Sequence, residues 1–284
     1  MITIRELYRQ GYEILSNSDI DDAKVDAKLL LEFALNMTSS EYHMSYDKEV
    51  SNDMCENYLT LIEQRATHYP LQYITGTQEF MGIEFMVNEN VLIPRWETEM
   101  LVEEVLKECD KFSTVLDMCS GSGCIATSIK KLGKVYRAVG VDISKEAINV
   151  GMYNALKNEV DIEFVNSDLF ENVKGKYDII VSNPPYIKTK VIEGLMPEVR
   201  RFEPMIALDG TEDGLHFYRR IIADAPNFLK DNGWIFFEIG HDQGKDVAML
   251  LAKNDEFKEI QVIKDYAGNS RIVKAKYERA NGSY

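Results

Sequence analysis

The chain has 284 residues, 45% of them hydrophobic, and a formal net charge of -15 at pH 7. That length accommodates one large α/β domain with a smaller companion, and no basic stripe is present to follow a phosphate backbone, so stable nucleic-acid binding is not expected. Cys55, Cys109, Cys119 and Cys124 form no CxxC pair and no histidines cluster beside them, and no run of about 18 apolar residues occurs. Reduced thiols in the cytoplasm, no metal site, no disulfide framework and no membrane span are the expectation.

Residues 1–70 carry 6 Lys/Arg against 13 Asp/Glu and show helical periodicity only, in sets such as Ile4, Leu7, Gly11, Leu15 and Tyr58, Ile62, Ala66. They predict a small all-α domain with an acidic outside, its helices started or capped at Asp21, Ser39 and Ser51. Its role is partner recognition or scaffolding. Over residues 71–93 the pattern changes to Gln72-Tyr73-Ile74-Thr75-Gly76 and then Ile83-Glu84-Phe85-Met86-Val87, alternating runs separated by glycines, which predict a β-hairpin linker.

Residues 94–284 open with a helix from Pro94 through Thr98, Leu101 and Leu106. Strands are expected at 114–118, 135–141, 162–165, 177–182 and 234–239, with helices from Gly123, Ser144, Leu215 and about Gln243. Two last strands, near 259–264 and 270–277, have no helix between them and read as an edge hairpin. The alternation predicts a mostly parallel sheet covered by helices on both faces. The charged segment 187–214 reads as a lid or a partner-contact surface.

The stretch that carries chemistry is Val181-Ser182-Asn183-Pro184-Pro185-Tyr186. The apolar run before it reads as a buried strand, and two prolines stop its ladder, so Asn183 stands at a strand's carboxyl end, where open α/β sheets bind ligands. A carboxamide oxygen, a proline carbonyl and an aromatic face suit a planar NH2 group. Upstream, Cys119-Ser120-Gly121-Ser122-Gly123 makes a tight turn from a strand into a helix, with Gly121 and Gly123 permitting close approach of a ligand. Asp117 ends that strand with a carboxylate suited to an ammonium. Asp142 ends the next and is placed to accept both hydroxyls of a ribose. Asp168 ends the third, placed for an adenine amino group, with Leu169 to cover the ring. Three strand-end acids without a Walker lysine describe a cationic adenosine ligand; S-adenosylmethionine fits, while NAD and ATP fit worse.

With these residues go Pro70-Leu71-Gln72-Tyr73-Ile74-Thr75-Gly76, Leu92-Ile93-Pro94-Arg95, Phe202-Glu203-Pro204, Ala207-Leu208-Asp209-Gly210 and Glu238-Ile239-Gly240. Over nearly its whole length the chain resembles the release-factor glutamine N5-methyltransferases, the PrmC/HemK family. The resemblance implies a Rossmann-like, seven-stranded S-adenosylmethionine-dependent methyltransferase domain behind a small all-α domain and a β-hairpin linker. It implies as substrate the glutamine of the Gly-Gly-Gln loop of peptide chain release factors. Trp96, where the family usually has a second proline, and Cys119, where many methyltransferases have a glycine, depart from the pattern. The amide nitrogen is a weak nucleophile, its lone pair delocalised into the carbonyl, so positioning is the expected contribution of the protein. Asn183 and the Pro184 carbonyl take the two N–H groups, Pro185 stiffens the turn, Tyr186 packs on the amide, and the methyl passes directly. Asn183-Pro184-Pro185-Tyr186 also serves enzymes that methylate exocyclic amines of nucleic acids, which is the alternative reading; a non-catalytic adaptor is a third.

Overall fold

The structure, a computed structural model, describes residues 2–279. It divides into two units, one made of residues up to Thr77 together with Met196–Phe202, the other of Gln78–Leu195 and Glu203 onward. In the first unit α1 (Ile4–Asn17), α2 (Ala23–Ala34), α3 (Ser39–Met44) and α4 (Asn52–Ala66) enclose a core of Leu7, Leu15, Leu30, Leu31, Tyr58 and Ile62. Gly11 makes room for Tyr58, since a Cβ at that position would lie 1.9 Å from the phenol oxygen. The phenol donates to the Ala27 carbonyl at 3.1 Å. Two-residue strands β1 (Ile2–Thr3) and β2 (Glu49–Val50) pair antiparallel, a feature too short for periodicity to show.

Ser51 caps α4 through a bond from the Met54 amide. Ser39 is the first residue of α3, with Thr38 as its cap, while α2 is preceded by Asp22, one residue past the expected Asp21. Thr38 prevails because Glu41 stands three residues on and closes a capping box with it.

Residues 72–76 are not a strand. Leu71–Thr75 form a short helix, α5, begun by Pro70 and ended by Gly76 at φ +74°, with Leu71 and Ile74 packed on the helical core. The Pro–Gly punctuation and that burial override the β-preference of Tyr73, Ile74 and Thr75. The hairpin follows it, as β3 (Thr77–Phe80) and β4 (Ile83–Met86).

In the second unit the order is α6 (Trp96–Glu108), β5 (Thr114–Met118), α7 (Cys124–Gly133), β6 (Arg137–Asp142), α8 (Lys145–Lys157), β7 (Glu163–Asn166), β8 (Tyr177–Ser182) and α9 (Thr189–Ile192). After α10 (Pro197–Phe202), which belongs to the first unit, come α11 (Met205–Leu208), α12 (His216–Asp224), β9 (Leu229–Glu238), α13 (Gly244–Ala252), β10 (Phe257–Lys264) and β11 (Ser270–Tyr277). The sheet order is β10-β11-β9-β8-β5-β6-β7, parallel from β9 to β7 and antiparallel at β10 and β11. β9 starts five residues before its expected place, because Lys230-Asp231-Asn232 hides its first half from an apolar pattern.

Both faces of the sheet are buried. Ile180 and Leu116 face one core with α12 and α13, while Ile179, Val181 and Val115 face the other with α6, α7 and the hairpin's Phe80 and Phe85. The crossovers after β5 and β8 leave in opposite directions, so the strand order reverses between them and opens a crevice at their carboxyl ends. Among the described residues no helix is long and apolar enough to cross a membrane.

Candidate active site

A cavity of about 280 Å³ occupies that crevice. Its wall takes Cys119, Ser120, Gly121 and Ser122 from the turn after β5, Asp142 from the end of β6, Asp168 and Leu169 after β7, and Asn183 and Pro185 after β8. The fold thereby brings together residues spread over more than sixty positions. Arg95 and Thr98, at the start of α6, complete one side, and Pro204, Ile206, Ala207 and Thr211 bring part of the 187–214 segment onto the wall. Arg95 donates to Glu203 Oε1 at 2.5 Å.

The glycine turn is held from several sides. The Ser120 amide bonds to the Val141 carbonyl at 2.9 Å, and Gly121 sits at φ +54° with open space where a Cβ would be. Buried Asn154, from α8, donates to both the Ser122 and the Met86 carbonyls at 2.9 Å, joining the turn to the hairpin. Cys119 has φ +63°, a left-handed conformation that glycine adopts more cheaply. Burial pushes the thiols of Cys119 and Cys124 up, Cys124 to about 12, so both are protonated at neutral pH.

Asp142 accepts the Gly121 amide on Oδ2 at 2.8 Å and the Ser144 amide on Oδ1 at 2.9 Å. Burial raises its pKa, and these amides oppose the rise. Each of its oxygens keeps a lone pair for a further donor. Asp168 differs from expectation in having a partner already, Arg220, whose Nη1 lies 3.0 Å from Oδ1.

Four expected residues do not line the cavity. Asp117 is fully buried: alternation along β5 turns it away from the Leu116–Met118 side, and Oδ2 accepts from Ser120 Oγ at 2.6 Å and the Ala126 amide at 3.2 Å. Burial pushes its pKa up to about 7, and Oδ1 has no partner. Contact of Asp117 with a ligand's ammonium is therefore corrected to a role inside the turn. Gly123 packs on Gly151, where a Cβ would lie 3.1 Å from the Gly151 Cα. Pro184 is buried and off the lining, between Asn183 and Pro185 which are on it, and the Tyr186 hydroxyl donates to Glu238 Oε1 at 3.4 Å. The Tyr186 carbonyl is fixed by buried Gln243, which donates to it at 3.0 Å.

A reversing parallel sheet whose crevice carries a small-residue turn, a strand-end acid and Asn-Pro-Pro-Tyr defines a methyltransferase. Residues 6–76 match the PrmC N-terminal domain model and residues 96–198 the methyltransferase small domain model. A release factor glutamine methyltransferase of Geobacter sulfurreducens is 38% identical over 95% of this chain and 95% of its own length. One from Clostridium botulinum is 38% identical over 96% of this chain and 99% of its own. The chain belongs to the release factor glutamine methyltransferase family. A methyltransferase from Pyrococcus furiosus shares the fold with TM-score 0.54 at 14% identity, covering 71% of this chain and 91% of that one. A T. thermophilus 16S rRNA methyltransferase solved with AdoMet and guanosine has TM-score 0.51 at 17% identity, covering 72% of this chain and 50% of that one.

The cofactor of a methyltransferase of this fold is S-adenosylmethionine, and the residues present fit it. Asp142 offers acceptor capacity on both oxygens, Gly121 leaves the space a side chain would fill, and Leu169, only 5% exposed, supplies an apolar surface on the wall. Among the described residues no group of three or more His, Cys, Asp or Glu is arranged to hold a metal ion.

Proposed function

We propose that this chain methylates the side-chain amide nitrogen of the glutamine in the Gly-Gly-Gln loop of peptide chain release factors. The observation that carries the reading is Asn183, at the end of β8 and on the wall of the cavity, with its Nδ2 engaged by Thr98 at 3.3 Å and its Oδ1 left to accept. S-adenosylmethionine supplies, when bound, a methyl group on a sulfonium. The chain's own residues supply position. Asn183 Oδ1 accepts one N–H of the glutamine amide. Orientation of the amide plane, with the nitrogen lone pair facing the methyl donor, starts from that acceptor, since Pro184, expected to take the other N–H, is off the lining; such orientation is worth up to roughly 7–11 kcal/mol of barrier. Pro185 fixes the backbone course, and Ser120, Gly121, Ser122, Asp142 and Leu169 hold the cofactor.

A net charge of -15 disfavours a polyanionic acceptor at long range. We take the cytoplasm as the compartment, because the acceptor is a translation factor and all four cysteines are free thiols. The test is transfer of labelled methyl from S-adenosylmethionine to an intact release factor. Label should appear on the factor and vanish when its loop glutamine is changed to alanine. Labelling of DNA or RNA with the factor left unlabelled would overturn the reading in favour of a nucleic-acid amine.

A further inference from the structure

Gln243 stands just before α13, 3% exposed and off the cavity lining, and three backbone groups from three separate stretches converge on its carboxamide. The Gly240 amide donates to Oε1 at 2.9 Å, while Nε2 donates to the Tyr186 carbonyl at 3.0 Å and to the Gly214 carbonyl at 3.1 Å. The partners themselves fix these roles. A backbone N–H only donates and a carbonyl only accepts, so the oxygen faces Gly240 and the NH2 gives one hydrogen to each carbonyl.

The two carbonyls flank the 187–214 segment: Tyr186 closes the turn after β8, and Gly214 lies two residues before α12. Next to the clamp, residues 187–189 and 208–211 pair with each other. The Ile187 amide bonds to the Leu208 carbonyl at 3.0 Å, the Gly210 amide to the Ile187 carbonyl at 2.8 Å and the Thr189 amide to the Thr211 carbonyl at 3.0 Å. This contact has no slack. A Cβ on Gly210 would lie 2.7 Å from the Tyr186 Cα, and one on Gly214 would lie 2.6 Å from Gln243 Nε2. Only Pro184 and Pro185, whose rings fix φ, separate Tyr186 from Asn183, and Ala207 and Thr211 line the same cavity as Asn183. Holding the Tyr186 and Gly214 carbonyls at one point therefore sets where Asn183 stands against the rest of the wall.

We infer that Gln243 is a positioning residue for the transfer, clamping the turn that carries Asn183 to the 208–214 stretch so that the acceptor wall is assembled before substrate arrives. The inference rests on the proposed transfer to an amide nitrogen. Over 208–214 the segment is then a fixed part of the wall and not a lid.

The experiment compares the full chain with Gln243→Met, Gln243→Glu and Gly210→Ala, using S-adenosylmethionine and an intact release factor. Gln243→Met keeps the length and removes all three bonds; Gln243→Glu keeps the acceptor for Gly240 and gives up the NH2; Gly210→Ala wedges the pairing from the other side. Turnover is referred to cofactor sites counted by calorimetry, so unfolded protein does not enter the rate. For Gln243→Met and Gly210→Ala, kcat should fall about tenfold or more while Kd for the cofactor changes less than about threefold, because the glycine turn and Asp142 are held by other bonds. Amide hydrogen exchange should quicken over 186–189 and 208–214 and stay unchanged over 119–123. Should Gln243→Met bind no cofactor, Gln243→Glu decides by the same measurements. Wild-type kcat in the deciding Gln243 variant, a cofactor Kd weakened as much as kcat, or unchanged exchange over 186–189 and 208–214 would overturn the inference. Absence of transfer by the wild-type chain would instead overturn the substrate reading, and this inference with it.

Discussion

Asp142 holds the Gly121 amide on Oδ2 at 2.8 Å, so one carboxylate both shapes the glycine turn and faces the cavity. Asp142→Ala removes the turn's anchor together with two acceptors for a ribose. S-adenosylmethionine affinity should weaken by about 1.5–3 kcal/mol for each hydroxyl bond lost. Calorimetry is the measurement, and an unchanged Kd would take Asp142 out of the cofactor site.

Asn183→Ala should depress kcat far more than it weakens binding of the release factor, because the lost acceptor orients one nitrogen while most of the partner's contacts lie elsewhere. Fluorescence anisotropy with the factor and single-turnover rates separate the two. Equal losses in affinity and turnover would contradict an orienting role.

Cys119 stands at φ +63°, where a residue other than glycine pays about 1–2 kcal/mol. Glycine removes that strain and gives back part of the gain through its freer unfolded chain. Cys119→Gly should therefore stabilise the protein by about 0.5–1 kcal/mol in urea unfolding, and the β-branched Cys119→Val should destabilise it. A less stable glycine variant would show that packing of the thiol outweighs the backbone.

Strand-end placement was readable in the sequence because it depends on local pattern. The positions of Asp142, Leu169 and Asn183 follow from where apolar runs stop. What a strand-end side chain faces depends on its neighbours, and there the reading failed at Asp117, whose alternation on β5 sends it to the Ala126 amide instead of the cavity. Nothing local marked the partners of Thr98, Asn154 and Glu238, although Glu238 stands in one of the stretches that carry the family resemblance. Thr98 meets Asn183 across 85 positions and Asn154 meets Met86 across 68, distances at which only the folded sheet sets the partner. The short helix Leu71–Thr75 departs from expectation for a related reason, since its β-preferring residues are helical with Tyr73 buried and Leu71 and Ile74 packed, partly buried, on the first unit's core.

Asp117 and Glu238 both have folded-state pKa values near 7, raised chiefly by burial from ordinary values of 3.8 and 4.5. Burial raises Asp142, Glu203 and Asp26 as well. A carboxyl with a raised folded pKa stabilises the fold fully below its unfolded value, and that stability is lost as pH climbs through the folded one. Between about pH 4 and 7 the unfolded chain holds fewer protons than the folded one, so stability falls with a slope of up to about 1.4 kcal/mol per pH unit for each group. The melting temperature should accordingly decline from pH 5 to pH 7, and Asp117→Asn should flatten the decline. A melting temperature that rises across this interval would contradict the sign.

Arg65 is the cation around which the helical unit closes. From α4 its Nε donates to Asp26 of α2 at 2.7 Å, its Nη2 to Glu198 of α10 at 2.9 Å and its Nη1 to the Tyr69 carbonyl at 3.4 Å. The Arg65 and Asp26 side chains are 7% and 8% exposed, so their charges interact with little screening and neither is easily rehydrated. Burial raises the Asp26 pKa, and the Arg65 hydrogen bond opposes that rise. Arg65→Ala strands a buried carboxylate and should cost the unit about 3–5 kcal/mol, whereas Arg65→Met combined with Asp26→Leu removes both charges and should recover most of the loss. Arg65→Lys should fall between them, because a single ammonium cannot span three acceptors in the geometry of a guanidinium fork. Cofactor affinity should stay unchanged in all three, since every cavity-lining residue belongs to the other unit. Urea unfolding of the full chain, read beside calorimetry with S-adenosylmethionine, measures both quantities. A cost below about 1 kcal/mol for Arg65→Ala would show that water replaces the guanidinium beside Asp26 and that the ion pair does not hold the helices together.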